Sequence, residues 1–355
     1  MTLPTARTRT TVLLAGVLGA ALTLTLAGCA GSTSSAAGTS VSAAAESSAS
    51  PTSEAATFPV TIGTAYGEIT VNQKPERIVA LSGRHVELLN LLDEKPIAFT
   101  DYGANNEELL TSYPWMAGTY DSEPDPTLFT ADYQPSPEAI AALKPDLILT
   151  TIWQTDERLY QQLSQIAPTY VGIETESNTT WQDDLTALAA LTGHDDAVVA
   201  QTQAELDAKL AAAAERLPGL KDKTFYVAGL GEGEQLFLYY AAAPELIAMG
   251  LEPGEGQPVD GTENYEAASY SQENVDKLNA DVLLVATEHR DPSGEFQAAL
   301  KADPRVAELP ASKNGTLIFF TGPEWNAVNG GSAVSVMWWL DRVVPVLEAS
   351  GLNQS

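Results

Sequence analysis

The segment SPEAIAALKPDLILT (136–150) has a near copy, SQENVDKLNADVLLV (271–285), in the second half of the chain. Each copy begins with residues typical of a helix start and ends in an apolar run typical of a buried strand. We therefore expect two structural units of one design, each with its own core. The residues shared at aligned positions are Ser136, Glu138, Leu143, Asp146 and Leu149, which recur as Ser271, Glu273, Leu278, Asp281 and Leu284.

The sequence around both copies alternates short apolar runs with segments whose apolar residues have helical spacing. Strands are predicted at 78–82, 97–100, 146–151 and 169–173, with helices at 83–92 and 157–168 between them. This alternation indicates parallel βαβ units. The second half repeats the pattern with strands at 224–230, 235–240 and 316–320 and a closing helix at 332–350.

Between the halves lies a stretch rich in Ala, Leu, Glu and Gln, from about residue 195 to 217, which ends at Pro218-Gly219. It predicts one helix of about 35 Å at 1.5 Å per residue. We expect an α/β fold of two lobes joined by one long interlobe helix. The predicted boundaries are 58–193 for the N-terminal lobe, 194–218 for the helix and 219–355 for the C-terminal lobe.

The first residues predict an export signal. Arg7 and Arg9 precede an uncharged apolar run that ends in Leu-Ala-Gly before Cys29, the only cysteine in the chain. This resembles the lipobox of bacterial lipoproteins and implies a signal peptide at 1–28 and lipidation of Cys29. A transmembrane or simple secretory segment is the alternative. Residues 29–57 are almost all Ser, Ala, Thr and Gly, which predicts a disordered tether to the membrane.

The composition is strongly acidic, with a formal net charge of −29. Removing residues 1–28 takes away Arg7 and Arg9 but no acid, which leaves −31. Phosphate recognition needs Lys and Arg, so nucleic acid is a poor partner for this surface. We expect an extracytoplasmic monomer.

Four segments together resemble the iron-siderophore class of substrate-binding lipoproteins that feed ABC importers, a class with cobalamin and haem-binding relatives. They are PERIVALS (75–82), SPEAIAALKPDLILTT (136–151), YSQENVDKLNADVLLVAT (270–287) and LPASKNGTLIFF (309–320). The resemblance implies two Rossmann-like lobes, with a ligand cleft between them, and limited closure about the stiff interlobe helix. It also implies that Glu138 and Glu273, one on each lobe, dock on arginines of the membrane permease. The alternative for both is a helix-capping role, since carboxylates favour the first turn of a helix.

Ligands of open α/β sheets bind beyond the carboxyl ends of the strands, so the residues after each apolar run are pocket candidates. Aromatic rings and arginines suit a ferric siderophore, because the iron arrives already chelated and its bound oxygens carry negative charge. The predicted contacts are Arg84, His85, Tyr102, Trp153, Tyr239, His289, Arg290, Trp325 and Asn326.

The ligand expected is a ferric siderophore, with the hydroxamate type favoured, and no cofactor or protein-held metal is expected. His85 and His289 could instead ligate haem iron or a bare metal, so a haem, cobalamin or metal receptor of the same fold stays open. A lipid-anchored adhesin or hydrolase is a remoter alternative. No catalytic residues are predicted. GLGEGE (229–234) lacks the third glycine and the following helix of a dinucleotide site, and no GxSxG elbow occurs.

Overall fold

The repeated segment forms a turn of helix and then a parallel strand in both halves of the computed structural model, which describes residues 57–173, 179–261, 269–288 and 290–354. The first copy is α-helix Pro137–Ala142 followed by strand Leu147–Leu149. The second is a 3₁₀ helix, Gln272–Lys277, followed by strand Val282–Ala286. The α-helix predicted there is replaced by the tighter form, because Asn274 leaves helical backbone angles.

The recurring aspartate has the same structural role in both copies. Asp146 accepts hydrogen bonds from the backbone N–H groups of Glu76 and Arg77, at 2.9 and 2.8 Å, just before the neighbouring strand begins. Asp281 accepts from the backbone N–H of Thr224 at 3.0 Å, at the first residue of its own neighbouring strand. Each carboxylate satisfies donors at a strand entrance that the ladder leaves unpaired. Part of the repetition in the sequence is therefore structural.

Both predicted series of strands are present. The strands are β1 Val60–Thr64, β2 Gly67–Val71, β3 Ile78–Ala80, β4 Ala98–Phe99, β5 Leu147–Leu149, β6 Thr169–Tyr170, β7 Thr224–Leu230, β8 Leu236–Leu238, β9 Glu252–Pro253, β10 Ser269–Tyr270, β11 Val282–Ala286 and β12 Leu317–Phe320. The helices are α1 Gly83–Leu91, α2 Asn106–Ser112, α3 Pro137–Ala142, α4 Glu157–Leu163, α5 Trp181–Thr192, α6 Ala197–Arg216, α7 Ala243–Ala248, α8 Glu295–Ala302, α9 Pro304–Glu308, α10 Pro310–Asn314, α11 Gly322–Val328 and α12 Ala333–Glu348.

Two separate sheets define the two lobes. We call the part that carries β1–β6 the N-terminal lobe and the part that carries β7–β12 the C-terminal lobe. The N-terminal sheet has the order β4-β3-β5-β6 and is parallel throughout, beside the antiparallel hairpin β1–β2. The C-terminal sheet has the order β10-β8-β7-β11-β12, with β9 also on β7, and is mixed. Its GLGEGE segment is the turn of the β7–β8 hairpin, where Gly231 N–H donates to the carbonyl of Gln235 at 2.8 Å.

The predicted interlobe helix corresponds to α6, whose 20 residues span about 30 Å. It packs against α12, and Lys209 of α6 pairs with Asp341 of α12 at 2.7 Å. Both helices line the largest apolar cluster, which contains Leu206 of α6 and Trp339 of α12. The long helix is therefore packed along the body of the protein.

The expectation that each unit has its own core is right for one face of each sheet only. Leu147 and Leu149 of β5 lie in the large cluster shared by both lobes, whereas Ile148 between them lies in a cluster of the N-terminal lobe. In β11, Leu284 belongs to the shared cluster and Leu283 to a cluster of the C-terminal lobe. Alternate residues of a strand face opposite sides of its sheet, so the inner faces of both sheets share one core.

The described residues all belong to one compact unit. In the ranges that the structure describes, no helix combines the length and the apolar character that crossing a membrane requires. The predicted signal peptide, Cys29 and all of the tether up to residue 56 lie outside the described residues.

Candidate functional site

A cleft lies at the carboxyl ends of β3, β4 and β5, where the strand-end rule places it. Residues that follow these strands line it from the N-terminal lobe, and the α11–α12 region lines it from the C-terminal lobe. Its empty space, which includes part of the open solvent, is ≈ 580 Å³. The lining residues are Ser82, Arg84, Glu87, Asp101, Tyr102, Tyr113, Trp115, Thr151, Trp153, Gln154, Asn326, Asn329 and Gly331.

Arg84, at the start of α1, forms an ion pair inside this cleft. Its side chain is only 17% exposed, and it is paired with the buried carboxylate of Asp184. Its guanidinium also donates to the carbonyl of Thr179 at 3.0 Å and, from the N-terminal to the C-terminal lobe, to the carbonyl of Gly330 at 3.1 Å. Arg84 therefore lines the cleft with its charge already paired.

His85 lies behind Arg84 in a side pocket of ≈ 370 Å³ that shares Arg84 and Trp153 with the cleft. The imidazole is buried, and its Nδ1 has no hydrogen-bond partner among the described residues. Burial lowers the pKa of His85 to about 4, so the ring is neutral at physiological pH. Its ring meets that of Tyr170 edge-on at 5.9 Å.

Glu87 is a cleft residue that the sequence analysis missed. It is 6% exposed, and its two carboxylate oxygens accept from Trp115 Nε1 at 2.7 Å and from Ser332 Oγ at 2.5 Å. Ser332 is the N-cap of α12, so this bond also joins the lobes. Burial raises the pKa of Glu87 to about 7, although both hydrogen bonds oppose the rise. Glu87 lies inside a segment with helical spacing, and that pattern does not predict a buried carboxyl group in the cleft.

Asp101 is the second buried carboxyl group of the cleft. It accepts hydrogen bonds from the hydroxyl of Tyr113, from Gln154 Nε2 at 3.2 Å and from the backbone N–H of Gly83. Burial raises its pKa, while these bonds lower it. Asp101 and Gln154 follow apolar runs, and the strand-end rule predicts both as pocket candidates. Tyr113 follows α2, for which the sequence analysis had no prediction.

Two aromatic side chains are exposed within the cleft lining, as predicted. Tyr102 is 43% exposed and has a φ of 46°, in the left-handed region that few non-glycine residues adopt. Burial raises the pKa of the Tyr102 hydroxyl, with a further rise from Asp101. Trp153 is 67% exposed and lines both the cleft and the side pocket. Both rings offer apolar faces to a bound molecule.

Of the ligand contacts predicted in the C-terminal lobe, one lines the cleft and the others do not. Asn326 lines the cleft and donates from Nδ2 to the carbonyl of Ser112 at 3.3 Å. The expectation that Trp325 lies in a loop is wrong: it is on α11, 6% exposed, and packs edge-on against Tyr239 with ring centroids 5.3 Å apart. Neither Trp325 nor Tyr239 is part of the cleft lining. Both belong to or pack on the shared core.

The last two predicted ligand contacts, His289 and Arg290, follow β11 in the sequence. His289 lies outside the described residues. Arg290 is exposed, and its side chain is not part of the cleft lining. Its neighbours Glu288 and Asp291 line a separate depression of the C-terminal lobe. Backbone N–H groups, first that of Gln297, lower the pKa of Asp291.

Glu138 and Glu273 occupy matching places in the repeated segments. Each lies in the first turn of its helix and is exposed. Arg305 donates to the backbone carbonyl of Glu273 at 2.7 Å. In the described part of the chain, no salt bridge involves the carboxylate of either glutamate, so both are available to solvent.

The described residues contain no group of three or more His, Cys, Asp and Glu side chains arranged to hold a metal ion. The polar groups of the cleft are instead hydrogen-bonded to each other. The arrangement can hold a small molecule between aromatic faces and polar groups from both lobes.

Comparison with known proteins agrees with this architecture. The ferric enterobactin-binding periplasmic protein FepB of Escherichia coli O6:H1 is 29% identical over 310 residues, covering 81% of this chain and 91% of FepB. The probable siderophore-binding lipoprotein YfiY of Bacillus subtilis is 27% identical over 226 residues, 62% of this chain and 66% of YfiY.

A solved periplasmic solute-binding protein from Mycobacterium smegmatis has 26% identity and a TM-score of 0.64, covering 81% of this chain and 97% of that one. The sequence profile of the family described as "Periplasmic binding protein" matches residues 78–323, most of the chain. This family consists of substrate-binding proteins rather than enzymes. The chain belongs to the periplasmic binding protein family.

Proposed function

We propose that the protein is an extracytoplasmic receptor that binds a ferric siderophore, of the hydroxamate type by preference, and delivers it to an ABC importer. The observation that carries the proposal is the cleft between the lobes, in which exposed aromatic rings stand beside hydrogen-bonding groups. A preformed chelate needs apolar walls for its arms and polar groups for its oxygens, and this lining supplies both. The relatives FepB and YfiY, whose names describe siderophore binding, support the siderophore part of this proposal, and the hydroxamate preference rests on the cleft alone.

The ligand contacts proposed are the predicted residues that line the cleft, namely Arg84, Tyr102, Trp153 and Asn326. His85 reaches only the side pocket. The guanidinium of Arg84 already donates to Asp184 and to two carbonyl oxygens. It therefore offers a ligand a fixed hydrogen-bonding edge rather than an unpaired positive charge. No observation favours haem, cobalamin or a bare metal over a siderophore.

Ligand binding is tested by tryptophan fluorescence of the lipid-free protein. A ferric tris-hydroxamate is expected to quench the signal at submicromolar concentration, and Trp153→Phe removes most of the quenching because that ring is exposed in the cleft. Trp338→Phe is the matched control, since Trp338 lies on α12 and is covered by the guanidinium of Arg342 at 3.5 Å. A Soret band on titration with haem favours the alternative receptor. No response to hydroxamate, catecholate or haem contradicts the proposal.

We propose further that Glu138 and Glu273 dock on the permease. Their exposure and matching positions support this, since each lobe presents an exposed carboxylate in the first turn of the repeated helix. The double substitution Glu138→Ala and Glu273→Ala is expected to abolish uptake by cells while leaving the affinity for ligand unchanged. The control pair is Glu157→Ala and Glu295→Ala, which removes exposed first-turn glutamates from α4 and α8. Equal loss of uptake in the control contradicts specific docking.

The membrane attachment rests on Cys29 and the lipobox-like residues before it. Lipid chains stabilise attachment by about 0.8 kcal/mol per buried methylene. Cys29→Ser is expected to move the protein from the membrane fraction to the medium or periplasm without changing ligand affinity. Persistence of Cys29→Ser in the membrane fraction contradicts lipid anchoring. We expect the released protein to be a monomer, which size-exclusion chromatography with light scattering checks.

A further inference from the structure

Among the described residues that line the cleft, none supplies an unpaired positive charge. The chain has 18 Lys and Arg residues, and all except Arg7 and Arg9 lie within the described ranges. Arg84 is the one Lys or Arg among the residues described as lining the cleft. Arg290, the other arginine that follows a strand, is not part of that lining. The positive charge available to a ligand therefore depends on Arg84.

Arg84 is already neutralised. Its guanidinium pairs with Asp184, which is 1% exposed, and donates to the carbonyl oxygens of Thr179 and Gly330. The guanidinium of Arg84 has further N–H groups that can donate to a ligand oxygen. The Arg84–Asp184 pair, however, carries no net charge. His85 beside it is neutral at physiological pH.

Apart from tyrosines, the remaining titratable groups of the described lining are two carboxyl groups. Glu87 and Asp101 are both buried and belong to the N-terminal side of the cleft. Protonated, they leave the lining neutral; ionised, they make it negative. Neither state gives a net positive cleft. The field of the whole chain, with a formal charge of −29, has the same sign.

Ferric siderophores differ in charge by their chelating groups. A tris-catecholate complex is a trianion, because six phenolate oxygens surround one trivalent cation. A tris-hydroxamate complex is neutral at the metal, and a free amine on its backbone makes it a cation. Enclosing a trianion without counter-charges costs far more than enclosing a neutral complex.

We propose that this cleft selects its ferric siderophore by charge, accepting neutral and cationic hydroxamate-type complexes and rejecting tris-catecholate trianions. The inference rests on the proposed siderophore-binding function and specifies its ligand class. Selection arises because the one guanidinium of the lining is committed to Asp184 and the other charged groups there are carboxyl groups. Aromatic rings such as Trp153 then supply contact area that does not depend on ligand charge.

The test compares three ferric complexes by calorimetry and fluorescence with the same protein. They are ferrioxamine B, which carries a free ammonium group, its N-acetylated form, which is neutral, and ferric enterobactin as a tris-catecholate. We expect the ammonium form to bind at least as tightly as the acetylated form, and the tris-catecholate to bind at least 100-fold more weakly than either. Equal or tighter binding of the tris-catecholate overturns the charge inference but leaves the siderophore receptor standing. Failure of all three complexes to bind overturns both.

Adding a positive charge to the cleft gives a second test of selection by charge. Asn329 lines the cleft and is exposed, so Asn329→Arg places a cation there with little risk to the fold. We expect Asn329→Arg to strengthen tris-catecholate binding and to weaken ferrioxamine B binding, each about tenfold, while the acetylated complex changes little. Asn329→Gln is the neutral control. An equal change for all three complexes shows a steric effect and contradicts selection by charge.

Discussion

The two sides of the cleft differ in the kind of polar group they contribute. The N-terminal side supplies buried ionisable side chains, among them Arg84, Glu87 and Asp101. The C-terminal side supplies amides and backbone, with Asn326 and Asn329. Buried ionisable groups need fixed partners, whereas neutral groups tolerate change. The N-terminal side is therefore rigidly prearranged, and its bonds to Gly330 and Ser332 hold the C-terminal side in place.

The largest effect is expected from removing the buried cation. Arg84→Met leaves the carboxylate of Asp184 buried; among the described residues, its remaining side-chain donor is the hydroxyl of Tyr170, at 2.7 Å. We expect a loss of about 3–5 kcal/mol in the free energy of unfolding, measured by urea denaturation. Adding Asp184→Asn to Arg84→Met is expected to restore a large part of it. If Arg84→Met alone has wild-type stability, the stability of the N-terminal side does not depend on the Arg84–Asp184 pair.

Glu87→Gln tests the cost of the second buried charge. Because the pKa of Glu87 is raised to about 7, its contribution favours folding below about pH 4.5 and is lost as the pH rises through 7. The glutamine cannot ionise, and its amide can accept from Trp115 and donate to Ser332. Relative to wild type, Glu87→Gln should gain up to about 3 kcal/mol between pH 4.5 and pH 8.

Urea denaturation at several pH values measures this difference. Arg84 and Asp101 also act on Glu87, the first lowering and the second raising its pKa, so Asp101→Asn serves as the comparison. A stability difference between Glu87→Gln and wild type that does not change with pH contradicts a raised pKa at Glu87.

Ser332→Ala is expected to have an intermediate effect, because the C-terminal side loses one hydroxyl with two roles. Its oxygen caps α12 by accepting from Val334 N–H at 3.1 Å, and it donates to Glu87. We expect a loss of about 1–2 kcal/mol, with a further rise in the pKa of Glu87. Ser136→Ala at the N-cap of α3 removes only a cap and is the matched control. The same pH dependence of stability in both variants contradicts the interlobe role.

The smallest effect belongs to Asn326→Ala. Its bond to the carbonyl of Ser112 is 3.3 Å long and joins two neutral groups. We expect a loss of at most about 1 kcal/mol, measured by the same denaturation, and no dependence on pH. Asn329→Ala, from the same side of the cleft, is the control. A loss as large as that of Arg84→Met reverses the comparison between the two sides.

The sequence predicted the cleft where strands could be recognised. Arg84, Tyr102 and Trp153 each follow an apolar run, and each lines the cleft because parallel strands end at one edge of a sheet. Trp325 follows such a run too, yet it is on a helix and buried. The strand-end rule gives the edge of the sheet but not the direction of the next element, so it fails where a helix turns inward.

Glu87 shows a second kind of failure. It lies in α1 among Val86 and Leu88, where a helical pattern predicts a polar face toward solvent. Its burial depends on Ser332 and on Trp115, which are distant in sequence. A local pattern contains no information about those contacts.

The sequence by itself determined the repeated helix-and-strand unit, the strand cores and the long α6 helix, because apolar periodicity and helix propensity act over neighbouring residues. The shared core between the sheets, the pairing of Arg84 with Asp184 and the bonds between the lobes were decided by the tertiary structure alone. Those contacts join residues roughly 100 or more positions apart, and their energies depend on burial that exists only once both lobes have packed together.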